Sequence, residues 1–492
     1  MQRRVRGIGA AAIAAAFVVA GIGIGAAPAQ ADPAETYLAV PSGRYPIDVD
    51  ATPDDAYVFV ISRGDGGESD LRVYDSTSFT ELDVITFGDA AAFNPTAVQV
   101  SPDGTQVWVS FYNPGQILVY PAADLIAGGA PAPTVITGGG GFVDLTADPN
   151  GDYVYAATLF NPQYQFSTAD PTAPPRTISL PNGSRGVTVS ADGSTAFFTQ
   201  YVAAPAGGVQ AVDVAADGTL STGVFTPTGD LPWGVTYVGA VDRVISSNSG
   251  TPTSLSAFTP PGGAVTTTPV DCGPRLADAS PNGARGYLAC LTGGIIAIDY
   301  TTATPSAARV PIGDNVESVA VSSDDAGVSH RLYATSGGSD ELLVFTRPTV
   351  TGGGDQTVPE GTAATFTATA DDFWQQIRWQ SSADGGTTWV DVPGADGETL
   401  AVDGLLANSG TLYRLVATSA FFDPVASEPM LLTVTPAPTP VPCTPTAGST
   451  SCPLAATGVD AGPAITGAAG GVLLGALLVV AGQARRRRIR SN

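Results

Sequence analysis

The sequence predicts an all-β chain built on one repeated hairpin, and three observations carry that expectation. Apolar residues alternate in short runs bounded by turn signals. The 59 Gly and 40 Pro of the 492 residues supply those turns. One pattern, clearest as PTAVQVSPDGTQVWVSF from Pro95 to Phe111, returns along the chain at about the length of a four-stranded unit. Val98 and Val100 alternate into the turn, Asp103-Gly104 supplies the positive φ it needs, and Val107 and Val109 alternate out of it.

Aligned on that turn, the chain offers seven anchors: Pro53-Asp54-Asp55, Pro102-Asp103-Gly104, Pro149-Asn150-Gly151, Ala191-Asp192-Gly193, a degenerate one near Gly239 to Asp242, Pro281-Asn282-Gly283 and Ser323-Asp324-Asp325. Where both ends are clear, successive Asx residues lie 49, 47, 42 and 42 residues apart. This period fits four strands and their loops, and seven such units make a closed seven-bladed β-propeller over residues 35–347. Third strands are legible at Leu71 to Asp75, Ile117 to Tyr120, Val209 to Asp213 and Ile295 to Asp299. After the seventh anchor only Leu332 to Thr335 and Leu342 to Phe345 remain, so the run Thr36 to Val40 is expected to add the missing outer strand and remove a free edge. SPDG followed by VWVSF and a third strand ending near Asp resembles the YVTN-type repeat of seven-bladed propellers. The resemblance implies a fold and leaves the ligand open.

Cys272 precedes the first strand of the sixth unit and Cys290 ends the second, so the intervening turn sets them opposite each other and a disulfide is expected. A buried pair of free thiols is the alternative. Cys443 and Cys452 are close enough to close a small loop of their own.

From residue 349 to 435 the pattern changes. Ala364, Phe366 and Ala368 alternate, Ile377-Arg378-Trp379 leads into Trp389-Val390-Asp391-Val392, and Leu412 to Val416 follows Asn408-Ser409-Gly410. This stretch resembles a bacterial immunoglobulin-like sandwich, with Trp379 as core Trp and Tyr413 as corner Tyr. Ala368 and Leu415 stand where antibody-type domains carry cysteines, so packing alone has to close the core. A stalk module is the expected role.

Both termini read as addresses. Arg3, Arg4 and Arg6 precede an apolar run from Ile8 to Ala27, and Ala29-Gln30-Ala31 offers the small residues a signal peptidase reads, which makes residues 1–31 a signal peptide, with an N-terminal membrane anchor as the alternative. At the other end, residues 436–453 (PAPTPVPCTPTAGSTSCP) form a Pro/Thr-rich, wall-spanning linker. Residues 454–492 hold Leu454-Ala455-Ala456-Thr457-Gly458, an apolar segment from Ala461 to Ala481 that reads as a transmembrane helix in the precursor, and Arg485 to Arg488. That order resembles the LAXTG variant of the LPXTG cell-wall sorting signal of Gram-positive bacteria, common in actinobacteria. It implies sortase cleavage between Thr457 and Gly458 and attachment to peptidoglycan, with Leu454 opening the recognised pentapeptide. A plain single-pass anchor is the alternative.

All 21 basic residues are Arg. Without the two terminal segments, 13 Arg face 44 Asp and Glu, a net charge of about −31. A surface so acidic repels nucleic acid and anionic membranes and suits an exported protein with at most loose Ca²⁺ binding.

The chain has one histidine, His330, on the face opposite the usual ligand entrance of the fold. One imidazole with no His/Cys/Glu cluster excludes a zinc site, an imidazole base and a Ser-His-Asp triad, so no catalytic residue and no cofactor is assigned. Two residues before the first inward apolar position of each unit stand Ile47, Thr96, Val143, Arg185, Trp233, Arg275 and Glu317, which closure brings to one mouth of the channel. Thr96, Arg185, Trp233, Arg275 and Glu317 are the candidate binding residues, for a small anionic or sugar-like ligand. The competing expectation pairs the two Arg with Glu317 and nearby Asp as structural plugs. Arg63-Gly64-Asp65 reads as a chance tripeptide, and the acidic residues from Asp65 to Asp70 match no EF-hand spacing. Gly138 to Gly141 lacks the Lys-Ser/Thr and the helix of a phosphate cradle.

The function expected on these grounds is a wall-anchored, non-catalytic recognition or adhesion platform for an extracellular glycan, protein or small anion. Its rivals are an exported lactonase-like hydrolase, an activity some seven-bladed relatives have, and a purely structural wall component. A lactonase-type site gathers several carboxylates on a metal, whereas the aligned ring offers only Glu317, with Asp144 one residue off register.

Overall fold

In a computed structural model of the chain, residues 35–89, 91–280, 285–299, 306–323 and 329–437 are described. The expected signal peptide, the anchor Pro281 to Gly283, Asp324-Asp325, Cys443, Cys452, most of the Pro-rich linker, Leu454, Thr457, Gly458 and the apolar segment lie outside the described residues. Among the described residues no helix is long and apolar enough to cross a membrane.

The turn chemistry of the repeat builds the hairpins. In the second, the Asp103 carboxylate accepts from the Ser101 hydroxyl at 2.6 Å and the Thr105 N–H at 3.0 Å, and Gly104 sits at φ 70°. Ser190, Asp192 and Gly193 repeat the arrangement, with Gly193 at φ 72°. A short polar side chain that satisfies its own turn fixes the hairpin register through local contacts.

Seven four-stranded antiparallel sheets result. Their first strands are Pro46–Ala51, Asn94–Val100, Phe142–Ala147, Val187–Val189, Pro232–Val238, Pro274–Ala279 and Val316–Ser323. Within each of the first six sheets the four strands follow in chain order. The seventh takes its outer strand from Leu38–Pro41, which pairs with Glu341–Thr346.

An apolar layer fills the space between each sheet and the next. Trp108, fully buried, packs with Phe166 between the second and third. Val40, Tyr333, Leu342 and Val344 of the seventh meet Val49, Val58, Val60 and Tyr74 of the first. The disulfide Cys272–Cys290 lies within the layer joining the fifth and sixth sheets.

Residues 349–436 form a three-stranded and a larger sheet around Phe366, Trp379, Tyr413 and Leu415. Ala368 is buried beside them. From this part, Phe421 and Phe422 insert into the layer between the sixth and seventh sheets, where the Tyr287 hydroxyl donates to the Phe421 carbonyl at 2.6 Å. Buried Glu35 accepts from the Ala420 N–H at 2.9 Å and from the Ser419 hydroxyl. Arg285 pairs with Asp423 at 2.9 Å.

Candidate functional site

The first strands of all seven sheets line one channel with a cavity of about 160 Å³. Six of these strands carry a β-bulge near the same end, between Pro46 and Asp48, Pro95 and Ala97, Phe142 and Asp144, Pro232 and Val235, Pro274 and Ala277, and Val316 and Val319. A bulge re-aims the residue it displaces. The displaced residues include Ile47, Thr96, Val143, Trp233, Arg275 and Glu317, six of the seven aligned ring positions; Arg185 occupies the seventh, just ahead of its strand.

Four of them meet. The Arg185 guanidinium carbon lies 3.8 Å from the centre of the Trp233 ring and 4.6 Å from that of Tyr201. Arg275 lies 3.9 Å from the same Trp233 ring. Its Nε is 3.4 Å from Glu317, whose other oxygen accepts from the Tyr45 hydroxyl at 3.1 Å. Arg63 stands over the Tyr45 ring at 5.4 Å. Cations over aromatic faces attract through the ring quadrupole, most strongly over Trp and where water is displaced.

The backbone makes this approach feasible through two glycines. A Cβ on Gly186 would stand 2.8 Å from the Trp233 carbonyl oxygen, and one on Gly234 2.6 Å from that of Arg275. Each glycine follows a stack residue and lets the next strand close in. Thr199 then fixes the Arg185 turn, its hydroxyl accepting from the N–H groups of Arg185 at 3.0 Å and Gly186 at 2.9 Å. Ser247 does the same for the following step, accepting from Gly234 N–H at 2.7 Å and donating to the Arg275 carbonyl at 2.8 Å.

The remaining ring positions serve the scaffold. Ile47 is buried between the first two sheets, and Val143 packs between the third and fourth. The Thr96 hydroxyl lies 2.9 Å from that of Ser110 and donates to the Phe142 carbonyl at 3.0 Å, fastening the second sheet to the third. His330 is exposed at the start of Ser329–Ser336. In Arg63-Gly64-Asp65 the arginine folds back on Tyr45, and Gly64, at φ 84°, closes a tight turn.

Of the carboxylates inside the channel, sequence alignment noted only Asp144, as one residue off register. Asp48, Asp50, Asp144 and Asp278 each lie on a first strand and accept from the backbone of the next sheet: Val98 N–H to Asp48 at 2.8 Å, Val100 to Asp50 at 2.8 Å, Val187 to Asp144 at 2.9 Å, and Val321 to Asp278 at 2.7 Å. Their signal was present as an Asp one or three residues after the ring position. Burial pushes Asp48 and Asp278 up to about 6, Asp50 to about 8, and Asp144 well above the carboxylate range. These groups are committed to joining sheets. Among the described residues, no group of three or more His, Cys, Asp or Glu side chains is placed to hold a metal ion.

A family model described as "Domain of unknown function (DUF8696)" matches residues 349–436. No curated protein matches the chain in sequence. Among solved structures, the chain is similar to "Kuenenia stuttgartiensis Hydrazine Synthase" at 17% identity and a TM-score of 0.52, covering 66% of this chain and 99% of that one. It is also similar to a chain of "Crystal Structure of Mitotic Checkpoint Complex" at 13% identity and a TM-score of 0.51, covering 68% and 99%. They stand among 1195 matching chains, so the architecture is widespread, and at such identities the likeness is one of fold alone.

Proposed function

We propose that the seven sheets are the blades of one closed β-propeller, that residues 349–435 are an immunoglobulin-like stalk, and that the whole is exported and joined to the cell wall through Leu454 to Gly458. On this reading the propeller is a non-catalytic recognition platform that meets its ligand where Arg185, Trp233 and Arg275 converge. The carrying observation is the stack itself. Two of the 13 arginines that remain without the two terminal segments, against about 31 excess negative charges, lie on opposite sides of one Trp at the end of the channel. The channel carboxylates, each held by backbone donors from a neighbouring sheet, favour a scaffold over a hydrolase. The N- and C-terminal signals favour sortase and peptidoglycan as the anchoring partners.

The test is twofold. Expression in a Gram-positive host should release the protein from the wall on muralytic digestion, and Thr457→Ala should shift it to the membrane or the medium; an unchanged distribution refutes the anchor. The full chain should bind whole cells or wall glycans without turnover of a lactone panel. Calcium-dependent turnover refutes the non-catalytic platform.

A further inference from the structure

We propose that Arg185 is the seat of an oxyanion site, taking a ligand that carries a single carboxylate or phosphate group. The proposal rests on the platform reading and specifies what the platform recognises.

Charge within the stack is unevenly compensated. Arg275 faces Glu317 at 3.4 Å, and Tyr45 holds the second Glu317 oxygen in place. Arg185 has no acid within ion-pair distance among the described residues; Tyr201 is its side-chain hydrogen-bond partner, and its Nε, like that of Arg275, is buried without a hydrogen-bond acceptor. Its nearest formal charge in the stack is the like charge of Arg275, across the Trp233 ring. An unpartnered buried donor on a permanent cation is costly in the free protein, and a bound oxyanion removes that cost.

Geometry also restricts the kind of contact. Two guanidinium carbons at 3.8 and 3.9 Å from one ring centre cannot share a face without overlapping, so Arg185 and Arg275 cover both faces of Trp233. A sugar ring therefore finds no free Trp face to stack on. The Tyr201 and Trp233 rings stand at 90°, which holds Arg185 in the corner between them. Recognition through the in-plane N–H groups remains, and their planar fork matches two oxygens of a carboxylate or phosphate. The acidic surroundings select further: a polyanion is repelled by the rest of the surface, whereas one oxyanion group needs only the one arginine that faces no acid.

Isothermal titration of the full-length chain in mild detergent, with glucuronate, glucose and inorganic phosphate as probes at low salt, tests the assignment. At least one of the two anions should bind and glucose should not. Binding of glucuronate alone identifies a carboxylate ligand, and binding of phosphate alone a phosphate ligand. Arg185→Gln should weaken anion binding about 10- to 100-fold. Arg185→Lys, which keeps the charge and loses the fork, should weaken it less, and it guards against a folding defect in the Gln variant. Glu317→Gln frees Arg275 and should tighten anion binding several-fold. Glucose binding as well as glucuronate, no anion binding by the parent protein, or equal affinity of Arg185→Gln overturns the site. Whole-cell binding separates this failure from that of the platform. Cells bound equally by the parent and Arg185→Gln overturn the site and leave the platform standing. Anion binding without cell binding overturns the platform and leaves the site.

Discussion

Asp48 is where the chain ties its seventh sheet to its first and second, and replacing it should be felt across all three. One oxygen accepts from the Val98 N–H at 2.8 Å and the other from the Ser318 hydroxyl at 2.5 Å; Asp48 is 6% exposed and Ser318 2%. Asp48→Ala strands two buried donors, each costing about 1–3 kcal/mol, so a loss of about 2–6 kcal/mol is expected at acid pH. Asp48→Asn keeps one acceptor and should lose about half of that. The pH dependence is the sharper test. Burial raises the Asp48 carboxyl to about 6 in the folded chain, from 3.8 as its ordinary value. The folded state therefore holds the proton more tightly than the unfolded state. The stability linked to this group is complete below about pH 4 and is lost as pH rises through 6, by about 3 kcal/mol in all. Asn cannot lose a proton, so Asp48→Asn should be less stable than the parent at pH 4.5 and equal or more stable at pH 7.5. Urea unfolding at the two pH values measures this crossover. A parent–Asn difference that is the same at both pH values would show that the buried carboxyl carries no such linkage.

Three further outcomes follow from the packing. Gly234→Ala places a Cβ 2.6 Å from the Arg275 carbonyl oxygen and should cost about 1–3 kcal/mol, whereas Gly140→Ala, with nothing within 4 Å, should leave the melting temperature unchanged. Phe421→Ala empties a fully buried site between the sixth and seventh sheets, with an expected loss of about 3–5 kcal/mol by denaturant titration and faster proteolytic separation of residues 349–436; an unaltered cleavage pattern would contradict the insertion. Cys272→Ala with Cys290→Ala opens a link of sequence separation 18 and should lower stability by about 3 kcal/mol, read as an equal shift on treating the parent with reductant.

The sequence by itself determined the β architecture, the repeat turns that fall among the described residues, the strand from the N-terminal side that completes the last sheet and the cysteine pair opposed across a hairpin. These depend on chemistry within a few residues: an Asp or Asn that bonds its own turn, a Gly at positive φ and a two-residue alternation that decides which face is buried. It also gave the ring positions, since a period of about one sheet returns each to the same end of the channel.

Tertiary structure decided what those residues do. Arg185, Trp233, Arg275 and Glu317 are 48, 42 and 42 residues apart, and nothing local distinguishes them from Thr96, which lies at an equivalent position and fastens one sheet to the next. Their contact arises because bulges re-aim the side chains and two glycines let neighbouring strands approach. Three of the four channel carboxylates, Asp48, Asp50 and Asp278, escaped notice for the same reason. An Asp on an inward-facing strand is unremarkable in sequence, and only the neighbouring sheet supplies the N–H that explains it. Turn chemistry is local and legible, whereas the partners of a buried charge are set by which strands the fold brings side by side.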